Sequence, residues 1–157
     1  MNNKILDKDE LKQIAEHLKK DGEKLVTCNG TFDLLHYGHI KFLQEAKEQG
    51  DILIVAVNSD SSVKRYKSTD RPIIPEKYRS EMLAALESVD FVIIMDEEEV
   101  AGPLLELVRP SVHCNGSDYG ENCVEAEIVK KVGAKLHLIR LIDCLSTTQI
   151  ISKIREE

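Results

Sequence analysis

The chain is short of several things that would narrow its function at once. Its four cysteines, Cys28, Cys114, Cys123 and Cys144, are scattered and form no C-x-x-C pair. That spacing supplies neither a disulfide framework nor a zinc knuckle, and it reads as free thiols in a reducing cytoplasm. No apolar run approaches the roughly 20 residues of a membrane span. The start, Met1 to Lys8, lacks the apolar core of a secretion signal, so a cytoplasmic location away from membranes is expected. Basic residues are outnumbered: 21 Lys and Arg stand against 28 Asp and Glu, for a net charge of −7. That balance argues against a nucleic-acid surface, which carries a basic patch. It leaves a nucleotide ligand open, because a local basic cleft can sit on an acidic protein.

What is present fits one domain spanning residues 1–157. Apolar content of 42% with 31% charged residues is that of an ordinary globular chain, long enough to bury a real core. Asp7 to Lys20 carries Leu11, Ile14, Ala15 and Leu18 at helical spacing, an N-terminal helix over 7–20. Lys24 to Cys28 reads as a first strand, and Ile40, Phe42, Leu43 and Ala46 continue as a helix toward Gly50. Asp51 to Asn58 is almost continuously apolar, which suits a parallel strand covered on both faces. Polar residues 59–71 read as a long loop ended by Pro72 and Pro75. Further strands are expected at Phe91 to Met95, Val112 to Cys114 and Leu136 to Ile139. Asp96 to Glu99 reads as a solvated turn, and helices are expected near Tyr78 to Leu86, Val100 to Val108, Cys123 to Val132 and Thr147 to Ile154. The alternation predicts an α/β, Rossmann-like, doubly wound sheet of five mainly parallel strands with helices on both faces. Ligands of such sheets bind beyond the carboxyl ends of the strands, where loops 29–37, 58–71, 115–122 and 143–147 would open.

The first of those loops holds the chemistry. Asn29-Gly30-Thr31-Phe32-Asp33-Leu34-Leu35-His36-Tyr37-Gly38-His39 places two imidazoles three residues apart where a strand gives way to a helix. Free backbone N–H groups at a helix start attract anions, and neutral imidazoles add donors for phosphate. Packing residues or a metal pair are the competing readings of the same histidines. No H-E-x-x-H pattern and no cysteine pair completes a metal site.

These residues resemble the H-x-G-H signature of the cytidylyltransferase-like nucleotidyltransferases. Three companions follow in order: Asn58 to Lys67 with Arg71-Pro72, similar to the basic loop of that superfamily; Arg79, opening R-x-x-x-L; and Leu145-Ser146-Thr147-Thr148, similar to its closing S-T-T motif. The run N-S-D-x-S-x-K-R-x-K-x-x-x-R-P and the later Gly116-Ser117-Asp118-Tyr119 resemble the branch that adenylates D-glycero-D-manno-heptose 1-phosphate.

The resemblance implies attack by a sugar phosphate on the α-phosphorus of ATP or another nucleoside triphosphate, with Mg²⁺ accompanying the triphosphate and no metal held by the protein alone. It implies catalytic roles for His36, His39, Lys64 and Lys67. It implies nucleotide contacts for Asn29, Gly30, Thr31, Phe32, Gly38, Asn115, Gly116, Asp118, Ser146, Thr147 and Thr148. Asp33, Asn58, Asp60, Arg71 and Arg79 would serve the acceptor, although Arg79 also suits pairing with acidic neighbours. Lys64 and Lys67 read equally as a solvated basic run, and Ser146 and Thr147 as helix caps. A homodimer, and a sugar kinase on a separate protein, are the implied partners. Asn115 stands where relatives commonly carry Lys, which leaves the base preference open, and Cys144 where they carry Gly. Glu87 replaces an arginine of the glycerol-3-phosphate cytidylyltransferases, which weighs against that CTP-dependent alternative. A nucleotide-binding module without turnover is the non-enzymatic alternative.

Overall fold

The computed structural model describes residues 3–97, 101–123, 125–142 and 146–156. The readings that touch Glu98, Glu99, Val100, Cys144 and Leu145 lie outside them.

Five parallel strands form one sheet in the order β3-β2-β1-β4-β5: β1 Leu25–Gly30, β2 Ile52–Asn58, β3 Phe91–Met95, β4 Val112–Gly116 and β5 Lys135–Ile139. The chain winds outward from β1 through β2 to β3, then returns to the other side of β1 to lay down β4 and β5. Strand order therefore reverses between β1 and β4, and a crevice opens there at the carboxyl edge. β1 and β4 each run two residues beyond the predicted strands, so Asn29, Gly30, Asn115 and Gly116 are strand ends on that edge.

Alternation along the strands feeds two cores. Leu53, Val55 and Val57 of β2 join Leu43 and Ala46 of α2 (Tyr37–Lys47) and Leu83 of α4 (Glu76–Ala84) on one face. Ile54 and Ala56 join Leu11 and Ala15 of α1 (Lys8–Lys20) and Leu104 and Val108 of α5 (Ala101–Val108) on the other. Asp7 and Glu10 make a reciprocal capping box that fixes the start of α1.

One expectation is corrected. Residues 59–71 are not a continuous loop, since Asp60–Tyr66 forms a short helix, α3. Ser59 caps it by accepting from the Ser62 N–H, and Val63 is its buried apolar residue. A helix with so few apolar positions leaves no periodic signature in the sequence. Two further helices, α6 (Glu125–Lys131) and α7 (Thr147–Arg155), complete the fold.

Buried inside the sheet, His113 meets Thr27 of the neighbouring strand (Nδ1 to Oγ1, 2.9 Å), while its Nε2 has no partner. Burial lowers its pKa from 6.5 to about 4. Between those values the unfolded chain binds a proton that the folded chain does not, so stability falls as pH drops through this window and levels off below it. His39, also depressed to about 4, acts in the same direction. The urea midpoint should decline from pH 6.5 to 4.5, and His113→Asn should make that decline shallower. An unchanged slope in the variant would show that His113 does not carry the acid sensitivity.

Candidate active site

The crevice between β1 and β4 holds a cavity of about 910 Å³. Most of the residues nominated from the sequence line it, but they arrive from separate elements.

His36 is the N-cap of α2, and its Nδ1 accepts from the Gly38 N–H at 3.1 Å. A neutral ring that accepts at Nδ1 carries its proton on Nε2. His39 sits one turn on, and the two rings stack with centroids 3.8 Å apart. The Phe32 and His39 rings meet in a T-shaped arrangement with centroids 5.3 Å apart, and the His39 Nδ1 is shielded from water without a partner. Burial lowers both imidazole pKa values. For His39 the result is about 4, to which the charges of His36 and Lys67 also contribute. Near neutral pH the pair is therefore uncharged and crowded at the start of α2, where the helix dipole favours an anion.

The turn that carries these rings is tight. Phe32 has a φ of +48°, in the left-handed region uncommon for a side chain of its size. A Cβ on Gly30 would lie 3.1 Å from the Phe32 ring, so the glycine lets that ring fold back beside the site.

Two polar knots hold the turn. The Asp33 carboxylate is buried and accepts from the Ile73 and Ile74 N–H groups at 2.8 Å and from Arg71 Nε at 2.7 Å. Burial alone would raise its pKa, but the two backbone donors and Arg71 hold it below the ordinary carboxylate value. Arg71 is thereby fixed on the cavity wall. Behind it, Arg79 has no exposed surface. It donates to the Ile74 carbonyl at 2.8 Å, to the Thr31 carbonyl, and to Asp60 Oδ1 at 2.6 Å.

Arg79 and Asp60 thus form scaffold behind the wall and do not line the cavity. The reason is geometric: the Arg79 guanidinium is spent on three acceptors inside the protein. Lys64 is exposed on α3 and likewise does not line the cavity. Lys67, the C-cap residue just after α3, does line it, and lost hydration followed by the Arg71 charge pulls its ammonium pKa down. Asn58 is buried on the wall and donates to Ser62 Oγ.

Across the switch point Asn115, Gly116 and Asp118 line the same cavity, with Asn115 Oδ1 accepting from the Gly116 N–H. A Cβ at Gly116 would meet Asp118 Oδ1 at 2.4 Å, so the strand end and the following turn close on each other. Ser146 caps α7 by accepting from Gln149 N, and Ser146, Thr147 and Thr148 also line the cavity. Capping and access to a ligand therefore hold together at Ser146.

Several lining residues had no sequence signal. Tyr66 lies inside the basic run, Gly102 is in the first turn of α5, and Glu125, Glu127 and Lys131 come from α6. The cavity thus carries imidazoles, Lys67, Arg71 and two helix starts on some walls, and two carboxylates with Lys131 on α6. Among the described residues no group of three His, Cys, Asp or Glu side chains is placed to hold a metal ion.

An open parallel sheet with an imidazole pair and a cationic wall at its switch point defines an α/β protein of the nucleotidyltransferase class. A family model described as cytidylyltransferase-like matches residues 27–155, and the chain belongs to that family. Curated relatives include the bifunctional protein HldE of Geotalea uraniireducens, 46% identical over 97% of this chain and 31% of that protein. The bifunctional protein HldE of Geobacter metallireducens is 45% identical, over 96% of this chain and 31% of that one. The chain spans about a third of the length of these relatives.

Among solved structures, a lipopolysaccharide core biosynthesis protein from Thermoplasma volcanium is 31% identical with a TM-score of 0.61, covering 77% of this chain and 98% of that one. A pantoate-beta-alanine ligase from Francisella tularensis shares the fold at 19% identity, with a TM-score of 0.64 over 98% of this chain and 78% of that one. No described helix is long and apolar enough to cross a membrane.

Proposed function

We propose that residues 1–157 act as one unit that transfers AMP from ATP to a heptose 1-phosphate, giving ADP-heptose and pyrophosphate. The observation that carries this reading is the stacked, uncharged His36–His39 pair at the start of α2, close enough to Lys67 for its charge to be felt at His39. The relatives' names and the motif run 58–72 support the choice of acceptor.

In the reaction an oxygen of the sugar phosphate attacks the α-phosphorus. A new P–O bond forms, the bond to the β-phosphate oxygen breaks, and pyrophosphate leaves with that electron pair. The protein's work is position and charge stabilisation. His36 and His39 donate to the triphosphate near the α-phosphate, where negative charge concentrates in the transition state. Lys67 supplies a mobile cation between the two substrates, and Arg71, held by Asp33, faces the acceptor. Asn115, Gly116 and Asp118 flank the nucleoside, and Ser146 to Thr148 flank the phosphates. A Mg²⁺ arriving with the triphosphate would supply charge neutralisation for the leaving pyrophosphate.

The test is pyrophosphate release from ATP, CTP, GTP or UTP paired with D-glycero-D-manno-heptose 1-phosphate, other sugar 1-phosphates or glycerol 3-phosphate. Turnover with ATP and the heptose phosphate is expected. Turnover restricted to CTP and glycerol 3-phosphate would replace the proposal with the cytidylyl-transfer alternative. Tight nucleotide binding with no pyrophosphate from any pair would replace it with a binding module.

A further inference from the structure

Tyr66 has no part in the roles assigned above, yet it sits at the mouth of the cavity. It is the last residue of α3, its side chain is about half exposed at 48%, and its hydroxyl meets Thr31 Oγ1. The two residues lie 35 positions apart and come from different walls, one beyond β1 and one from α3. Lys67 Nζ stands 5.7 Å from the Tyr66 ring centroid, so the next residue's cation shares this corner.

Two hydroxyls joined by one hydrogen bond use one of their two protons and leave the other free. On the Thr31 side the corner is held. The Thr31 backbone is pinned through its carbonyl by Arg79, and the 71–74 segment beside it is pinned by Asp33. The corner thus sets a pair of O–H donors, one of them on a fixed backbone, beside two cations, Lys67 and Arg71. A phosphate oxygen has the lone pairs to accept from both hydroxyls at once and the charge to suit the cations. The imidazoles and the starts of α2 and α7 already form one set of anion donors. The corner is a second set, built from segment 58–74 and Thr31, and a second set suits a second anion.

We infer that Tyr66 Oη and Thr31 Oγ1 together seat the phosphate monoester of the acceptor, in place of the bond they make to each other. The inference rests on the proposed reaction in taking the acceptor to be a sugar phosphate. Tyr66 is then a substrate-binding residue whose hydroxyl, more than its ring, sets acceptor affinity.

The experiment uses the full chain and the variant Tyr66→Phe, which keeps the ring. Calorimetry measures mannose 1-phosphate, a probe carrying the sugar phosphate without the heptose side chain, and Mg-ATP separately. Pyrophosphate release is followed with heptose 1-phosphate. Losing one hydrogen bond to a charged group should weaken sugar-phosphate binding about tenfold. KM for the acceptor should rise by a similar factor, with kcat and ATP affinity nearly unchanged.

Equal sugar-phosphate affinity in the two proteins overturns the inference. So does a loss confined to ATP, which would assign the corner to the triphosphate, and so does failure of the parent to bind the probe. A parent that binds the probe but releases no pyrophosphate with any acceptor sinks the proposed reaction alone, and the binding comparison still decides on Tyr66.

Discussion

His39→Ala should fold as the parent does and release pyrophosphate roughly 10²–10³ times more slowly, the usual cost of losing one preorganised donor at a developing negative charge. The fold should tolerate the change because Nδ1 has no hydrogen-bond partner, and the ring gives up only its contacts with the His36 and Phe32 rings and the Leu34 backbone. Truncation removes a buried, unsatisfied polar atom along with the packing, and those effects oppose each other. The loss should fall mainly on kcat, because an interaction that strengthens as charge builds at the α-phosphate is worth more in the transition state than in the bound substrate. His39→Gln retains an N–H donor and should recover part of the rate. Thermal melting beside initial-rate measurements separates the possibilities. A parent-like rate in the alanine variant would remove His39 from the chemistry, whereas a raised ATP KM with kcat intact would confine it to holding the ground state.

The same side chains show how far the sequence could be read. β2 was plain because a strand buried on both faces is an unbroken branched-apolar run, and residues 52–58 are one. The helix carrying the histidines was plain from Phe42, Leu43 and Ala46, and its exact start follows from His36 acting as the cap. α3 was hidden because its order comes from tertiary polar contacts. Ser62 donates to the Glu97 carbonyl, and Ser59 and Ser61 meet Asp96. Such contacts bring together residues some 35 positions apart and leave no local period.

Within the site, residue type marked which groups suit phosphate, but only position against the cavity separated Lys67 from the likewise exposed Lys64, and burial separated Arg79 from Arg71. That separation depends on where the turn after α3 crosses the end of β1. The α6 wall was illegible for a related reason. Glu125 and Glu127 look like any solvated helix start until the crossover after β4 lays them against the cavity.

Arg79→Met should destabilise the protein by about 3 kcal/mol, the low end of the range for removing one partner of a buried ion pair. The low end applies because Asp60, its partner, keeps a side-chain exposure of 32% and can recover some hydration. The larger part of the cost lies with the carbonyls of Thr31 and Ile74, which lose their arginine donor. Met fills much of the volume, so the loss reports on polar pairing more than on a void. Arg79→Lys keeps the charge but cannot reach three diverging acceptors, and should recover less than half of the stability.

Urea unfolding at neutral pH measures both variants, and below the parent's transition the folded fraction can be assayed for turnover. Arg79 joins the Thr31 turn, the 74 segment and α3, so its loss should also raise KM for the sugar phosphate through a displaced Thr31. A variant as stable as the parent would show that Asp33, with its own grip on Ile73, Ile74 and Arg71, suffices to set the walls. If stability falls while KM holds, the two knots divide their work, with Arg79 supporting the fold and Asp33 setting the geometry that a phosphate meets.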